Sequence, residues 1–156
     1  MSDKTDRYST DEIFANAVSN REDPPVDVMY DEKQARKEKD RIRLDIERYV
    51  EEHDSCHSVT DFIENQAGIS KGLYSRFMNS DAPTGLSRDS LLKIFIVLGY
   101  DIDHIRTLLH RFGVPDLYAR NRRDYEIIRG IASGKTLRDI DDDLDEKGMK
   151  TLWKEA

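Results

Sequence analysis

Apolar residues recur at intervals of three and four along most of the chain, and strand-like alternation is nearly absent, so the pattern predicts an all-helical fold. From about Asp31 to His53, the residues Ile42, Ile46, Tyr49 and Val50 share one stripe. The earlier part of that segment, Lys33 to Arg43, reads as charged all round and is expected to project into solvent. Ser58 followed by Asp61 approximates a capping box, after which Val59, Phe62 and Ile63 turn inward. Gly68 suits a left-handed end to this short helix, Ile69 follows as a buried plug, and Ser70 can cap the next helix. That helix carries Leu73, Tyr74, Phe77 and Met78 as its apolar stripe. Asp81, Pro83 and Gly85 make the following stretch a loop. Ser87 then caps a helix that is apolar on several sides (Leu91, Leu92, Ile94, Phe95, Val97, Leu98) and is therefore expected at the centre. Asp101 opens another, with Ile102, Ile105, Leu108, Leu109 and Phe112 as its apolar residues, stopped by Gly113 and Pro115. Asn121 and Asp124 open the next, with Tyr125, Ile128 and Ile131 inward. Thr136 and Asp139 open the last, with Leu137, Ile140 and Leu144 inward and Gly148 after it.

The first 35 residues break this pattern. They are polar, contain Pro24-Pro25, and are expected to form a mostly disordered acidic tail. Within them Ser9 to Asn20 can form a short helix with Ile13, Phe14, Ala17 and Val18 on one side. A helix that short needs something to dock on, either this chain or a protein partner.

Composition narrows the function classes. Of 156 residues, 37% are hydrophobic and 37% charged, which favours small helical units over a large catalytic scaffold. No apolar run is long enough to span a membrane, the N-terminus lacks the apolar stretch of a signal peptide, and one cysteine cannot close an internal disulfide, so a cytoplasmic location is expected. The net charge of −7 is unevenly spread. Residues 1–35 hold four basic and nine acidic side chains, residues 36–135 seventeen and sixteen, and residues 136–156 four and seven. The balanced middle permits contact with DNA without demanding it.

Candidate chemistry is sparse. His53, Cys56 and His57 cluster, but a metal would need a fourth ligand that the neighbourhood does not offer. Asp139, Asp141, Asp142, Asp143 and Asp145 have the look of a calcium loop, yet Leu144 stands where that loop needs Gly and Lys150 where it needs Glu. A helix with acids in its first turn is the better reading. Without a Gly-rich phosphate loop, a Ser/His/Asp grouping or a catalytic carboxylate pair, neither an enzyme nor a cofactor is expected. Arg120, Arg122 and Arg123 form the densest basic patch, at a helix start where cations oppose the dipole. Internal salt bridges, to Asp141–Asp143 or to the N-terminal tail, are expected there ahead of DNA.

Two short helices joined at Ala67-Gly68-Ile69-Ser70, with Ile63, Ala67, Ile69, Tyr74 and Phe77 to bury the crossing, suit a helix-turn-helix. Residues 39–112 resemble the lambda-repressor-like, Cro/repressor-type (XRE) helix-turn-helix domains, chiefly through Gly68-Ile69-Ser70-Lys71-Gly72-Leu73-Tyr74-Ser75-Arg76-Phe77-Met78-Asn79. Ser87-Arg88-Asp89-Ser90-Leu91-Leu92 and Leu98-Gly99-Tyr100 resemble the following helix and its end. Leu117 to Asp124, with Ile127-Ile128, looks like an extension found in a Firmicutes subset of such regulators. The resemblance implies a five-helix domain over 36–113, a two-helix extension over 114–156, and a bacterial transcriptional regulator that binds double-stranded DNA as a homodimer.

It also implies site residues. The helix from Lys71 to Asn79 would enter the major groove, presenting Lys71, Gly72, Ser75, Arg76 and Asn79, with Ser70 at its start. Ser58 and Thr60 would offer backbone N–H groups to a phosphate, and Arg88 would be a further phosphate contact. The helices after Asn121, with Met149, Leu152 and Trp153, would form the dimer surface. The sequence departs from the family pattern at Glu64, where a small alanine is usual, and at Asp81 in a longer loop. Only Lys71 and Arg76 are basic between Val59 and Ser87. That poverty of charge supports an alternative, a protein-interaction module that keeps the scaffold without binding DNA.

Overall fold

The computed structural model describes residues 31–80 and 85–153, and these are helical with no strand among them. Seven helices are described in chain order: α1 (Asp31–Glu52), α2 (Val59–Asp61, continuing as a π-helix over Phe62–Gln66), α3 (Lys71–Asn79), α4 (Arg88–Leu98), α5 (Ile102–Arg111), α6 (Arg122–Ala132) and α7 (Leu137–Glu146). The short helix expected at Ser9–Asn20 lies outside the described residues. α1 begins at Asp31, where the helical pattern of the sequence starts.

Local chemistry sets most helix starts. The side chains of Ser58, Ser70, Ser87, Asp101, Asn121 and Thr136 each accept a hydrogen bond from the backbone N–H three residues on. Each satisfies one amide that the first helical turn would otherwise leave unpaired. Asp61 returns the bond at α2, its carboxylate accepting from the His57 amide at 2.9 Å.

One hydrophobic cluster runs through the described residues, from Ala35 in α1 to Leu152. α4 lies at its centre, with Leu91, Leu92, Ile94 and Phe95 buried, and packs against α1, the π-helical turn, α5 and α7. α6 and α7 pack on each other and bring Leu117, Ile127, Leu137, Ile140 and Leu144 into the same core. The C-terminal extension is therefore continuous with the rest of the structure.

Several inward assignments are corrected. The early part of α1 does not project freely, since Ala35, Lys39 and Ile42 are all buried. They continue the Ile46 stripe toward the N-terminus at spacings of three and four. Leu73 is partly exposed, and Tyr125 lies about half in solvent at 48% exposure. In α6 the buried positions are Asp124, Ile127 and Gly130, so the inward face is turned by one residue from the expected one.

Gly130 shows how tightly α6 meets α7. A Cβ there would fall 2.5 Å from Ile140 Cγ1 and 3.0 Å from its Cδ1. Gly→Ala inside a helix ordinarily gains about 1 kcal/mol, but overpacking of this kind costs about 1–3 kcal/mol. Gly130→Ala is expected to lower the melting temperature, and adding Ile140→Val to recover part of it. A melting temperature that rises in the single variant would show that the two helices part freely.

Candidate nucleic-acid interface

α2, the turn at Gly68 and α3 form the candidate site, and their positions are held from three directions. Phe62 and Ile63 are buried under α2, and Phe77 and Met78 under α3. Within Phe62–Gln66 the backbone takes a π register, the Ala67 amide donating to the Phe62 carbonyl at 2.9 Å. The Ile69 amide then donates to the Ile63 carbonyl at 2.9 Å, closing the turn. Gly68 sits at φ +63°, and a Cβ there would meet three ring atoms of Trp153 at 3.0 Å. The turn thus needs glycine for its backbone and for the ring lying on it.

The C-terminal end of α3 is capped from α1. Lys39 Nζ donates to the Phe77 carbonyl at 2.7 Å and the Ser80 carbonyl at 2.9 Å, and stands 4.5 Å from the Phe77 ring centre. The Arg36 guanidinium donates to the Met78 and Ser80 carbonyls, both at 2.8 Å. Two cations thereby meet the carbonyl groups at the negative end of the helix dipole. The Tyr74 hydroxyl is buried with no hydrogen-bond partner among the described residues, and burial pushes its pKa up to about 12.

With one side of α3 buried and its end capped, the other side is open. Lys71, Gly72, Ser75, Arg76 and Asn79 are all exposed, as is Ser70 at the helix start. Asn79 Nδ2 donates to Ser75 Oγ at 3.3 Å, one turn away on the same face. Neither Lys71 nor Arg76 has an ion-pair partner among the described residues. Ser58 and Thr60 are exposed at the start of α2. Asp61 occupies the same end, however, and hydrogen bonds from the Asn65 side chain and the His57 amide hold its carboxyl below the usual aspartate range. A fixed carboxylate at that terminus disfavours a phosphate beside Ser58 and Thr60. Between Ser58 and Ser80 the charged side chains are Asp61, Glu64, Lys71 and Arg76, so this surface is electrically balanced.

Arg88 is placed elsewhere than expected. Its guanidinium makes a two-pronged contact with Asp124, at 2.7 and 2.9 Å, and reaches the Asp116 carbonyl at 3.2 Å. Both side chains of the pair are largely buried. These donors face an internal carboxylate and not a phosphate, because α6 docks its first turn on that of α4. Arg123 makes the neighbouring link, to Asp89 at 2.9 Å and to the carbonyls of Lys150 and Thr151 at 2.7 and 3.3 Å. Of the three arginines of the basic patch, Arg123 pairs internally as expected, though with Asp89 and not Asp141–Asp143. Arg120 and Arg122 stay exposed, without an ion-pair partner among the described residues.

The segment after α7 folds back across the turn. Asp141 accepts from the Leu152 amide at 2.6 Å and the Trp153 amide at 2.8 Å. Leu152 is buried, and Trp153 lies on Gly68. Lys93, itself buried in α4, donates to the Gly68 carbonyl at 3.2 Å and stands 5.6 Å from the Trp153 ring centre. Leu152 and much of Trp153, expected on a dimer surface, are thus used within the chain. The aspartate-rich segment Leu137–Glu146 is helical, with Lys135 pairing with Asp143 at 2.6 Å. His53 stacks on Tyr49 while Cys56 is buried, and no three metal-ligating side chains converge among the described residues. No described helix is long and apolar enough to cross a membrane. Compared with protein-family models, curated proteins and solved structures, the chain matches none.

Proposed function

We propose that this chain is a sequence-specific DNA-binding transcriptional regulator of lambda-repressor-like helix-turn-helix build, with α3 as its recognition helix. The observation that carries the reading is the two-sidedness of α3. Its Phe77–Met78 side is buried and its C-terminal carbonyls are capped by Arg36 and Lys39, while its opposite side is an open polar surface of Lys71, Ser75, Arg76 and Asn79. A short helix held by its back and bare in front is what entry into a major groove requires. Arg76 can fork onto guanine O6 and N7, Asn79 can pair with adenine, and Lys71 can reach a base edge or a phosphate. A homodimer would set two such helices one turn of duplex apart, about 34 Å. Its pairing surface would not include Leu152, which is buried in its own chain.

A second reading, a protein-interaction module on the same scaffold, is favoured by the electrical balance of the α2–α3 surface and by the internal pairing of Arg88. Binding-site selection separates the two. The purified full-length chain is incubated at low salt with a pool of random duplexes, and the bound fraction is sequenced. A regulator enriches one pseudo-palindromic site. Failure to retain any duplex, together with failure to bind heparin at the same salt, supports the interaction module.

A further inference from the structure

We infer that the DNA footprint continues beyond α3 onto the C-terminal extension, where Arg120 and Arg122 at the start of α6, with Lys150, grip the phosphate backbone. The inference rests on the DNA-binding reading and supplies what the α2–α3 surface lacks. Two cations on that surface, Lys71 and Arg76, make few phosphate contacts, and phosphate contacts provide most of the affinity of such proteins.

Three observations assign the missing charge to the extension. Arg120, Arg122 and Lys150 are exposed, and the two arginines have no ion-pair partner among the described residues. Both arginines sit at the N-terminal end of α6, where a cation opposes the helix dipole. Arg123 offsets that cost through Asp89, but neither of its two neighbours has an ion pair among the described residues. A phosphodiester from outside would. The arginines also border a small cleft of about 160 Å³ together with Tyr125, Lys147 and Met149. Glu126, the acid of that cleft, faces Lys147 at 3.8 Å. Exposed Tyr118 and Tyr125 add donors that suit a sugar-phosphate chain.

The patch is also linked to the turn before the reading helix. Arg123 holds the Lys150 carbonyl, and three residues later Trp153 lies on Gly68, directly before α3. Arg88–Asp124 and Arg123–Asp89 fasten the same end of α6 to the first turn of α4, the next described helix after α3. The patch is thereby tied, through Lys150 and Trp153, to the turn that precedes α3.

The test is a salt titration of duplex affinity by fluorescence anisotropy, on the full chain and on Arg120→Ala with Arg122→Ala. The plot of log affinity against log salt is expected to become shallower by about two for each bound subunit, and so by nearly four for a homodimer, near 0.9 for each phosphate that is no longer neutralised. Affinity should fall by the same factor on a selected site and on a scrambled duplex, and Arg120→Lys with Arg122→Lys should restore the slope. An unchanged slope in the alanine variant, with site preference intact in the full chain, overturns the inference and leaves the DNA-binding reading standing. A full chain that binds no duplex at any salt overturns both. A variant that keeps its duplex affinity but changes oligomeric state assigns the patch to a second copy and also overturns it. Both arginines are exposed and oppose the α6 dipole, so the melting temperature should hold or rise slightly and not fall.

Discussion

Lys71→Ala combined with Arg76→Ala is expected to abolish binding to a selected site while leaving helicity and melting temperature unchanged. Both side chains are exposed and make no internal ion pair among the described residues, so their removal alters the fold by no more than about 0.5 kcal/mol. Against DNA the loss is of another order. A guanidinium forked onto guanine carries about 1–3 kcal/mol of discrimination, and a dimer makes each contact twice. The balanced surface has no other cation to compensate. The measurement is anisotropy with the selected duplex and a scrambled one, alongside circular dichroism melting. Full retention of site preference in the double variant would remove α3 as the reading helix.

Asp124→Ala is expected to destabilise the protein by about 3–5 kcal/mol, the usual consequence of breaking a buried ion pair by deleting one partner. The carboxylate takes two bonds from Arg88 and one from the Tyr118 amide at 2.9 Å. Its loss strands a largely buried guanidinium between α4 and α6. Replacing both partners, Arg88→Met with Asp124→Leu, should cost much less than Asp124→Ala alone, because no charge is left unpaired. Urea unfolding of both variants decides the point, and a loss below about 1 kcal/mol in Asp124→Ala would mean that solvent reaches Arg88 easily. A pH dependence follows. Burial raises the Asp124 carboxyl, but bonds from Arg88 and the Tyr118 amide, with the charges of Arg88 and Arg123, outweigh it and hold the pKa below the usual value. The folded state therefore binds this proton less readily than the unfolded chain. The pair's stabilisation is complete above the ordinary aspartate range and is lost as pH falls through the lowered value. Acid unfolding should be steeper in the native chain than in the double replacement.

Helix starts are legible in the sequence because a cap is local. A serine, threonine, asparagine or aspartate at the right place bonds an amide three residues on whatever else the fold does, and Ser58, Ser70, Ser87, Asp101, Asn121 and Thr136 all do so. The open face of α3 is legible for a related reason, since its polar residues fall on one side at helical spacing. Lys39 is harder to place because its charge argues for solvent. Its position between Ala35, Ile42 and Ile46 on one stripe is the available signal that it lies inward. Its ammonium group is accommodated by the carbonyls ending α3, a partner 38 residues away that no local pattern encodes. Arg88 and Asp124 are separated by 36 residues and meet only once α6 is placed on α4. The π register at Phe62–Gln66 arises from how α2 enters the turn and has no compositional mark.

The ring of Trp153 on Gly68 makes the junction before α3 optically visible. It is the one tryptophan of the chain, so light that excites indole selectively addresses a single location. Emission wavelength and quenching there follow the packing of the turn, with the Lys93 ammonium group close by. The molecule thus carries an unlabelled reporter at the turn before α3, able to follow docking or loosening of that helix in real time.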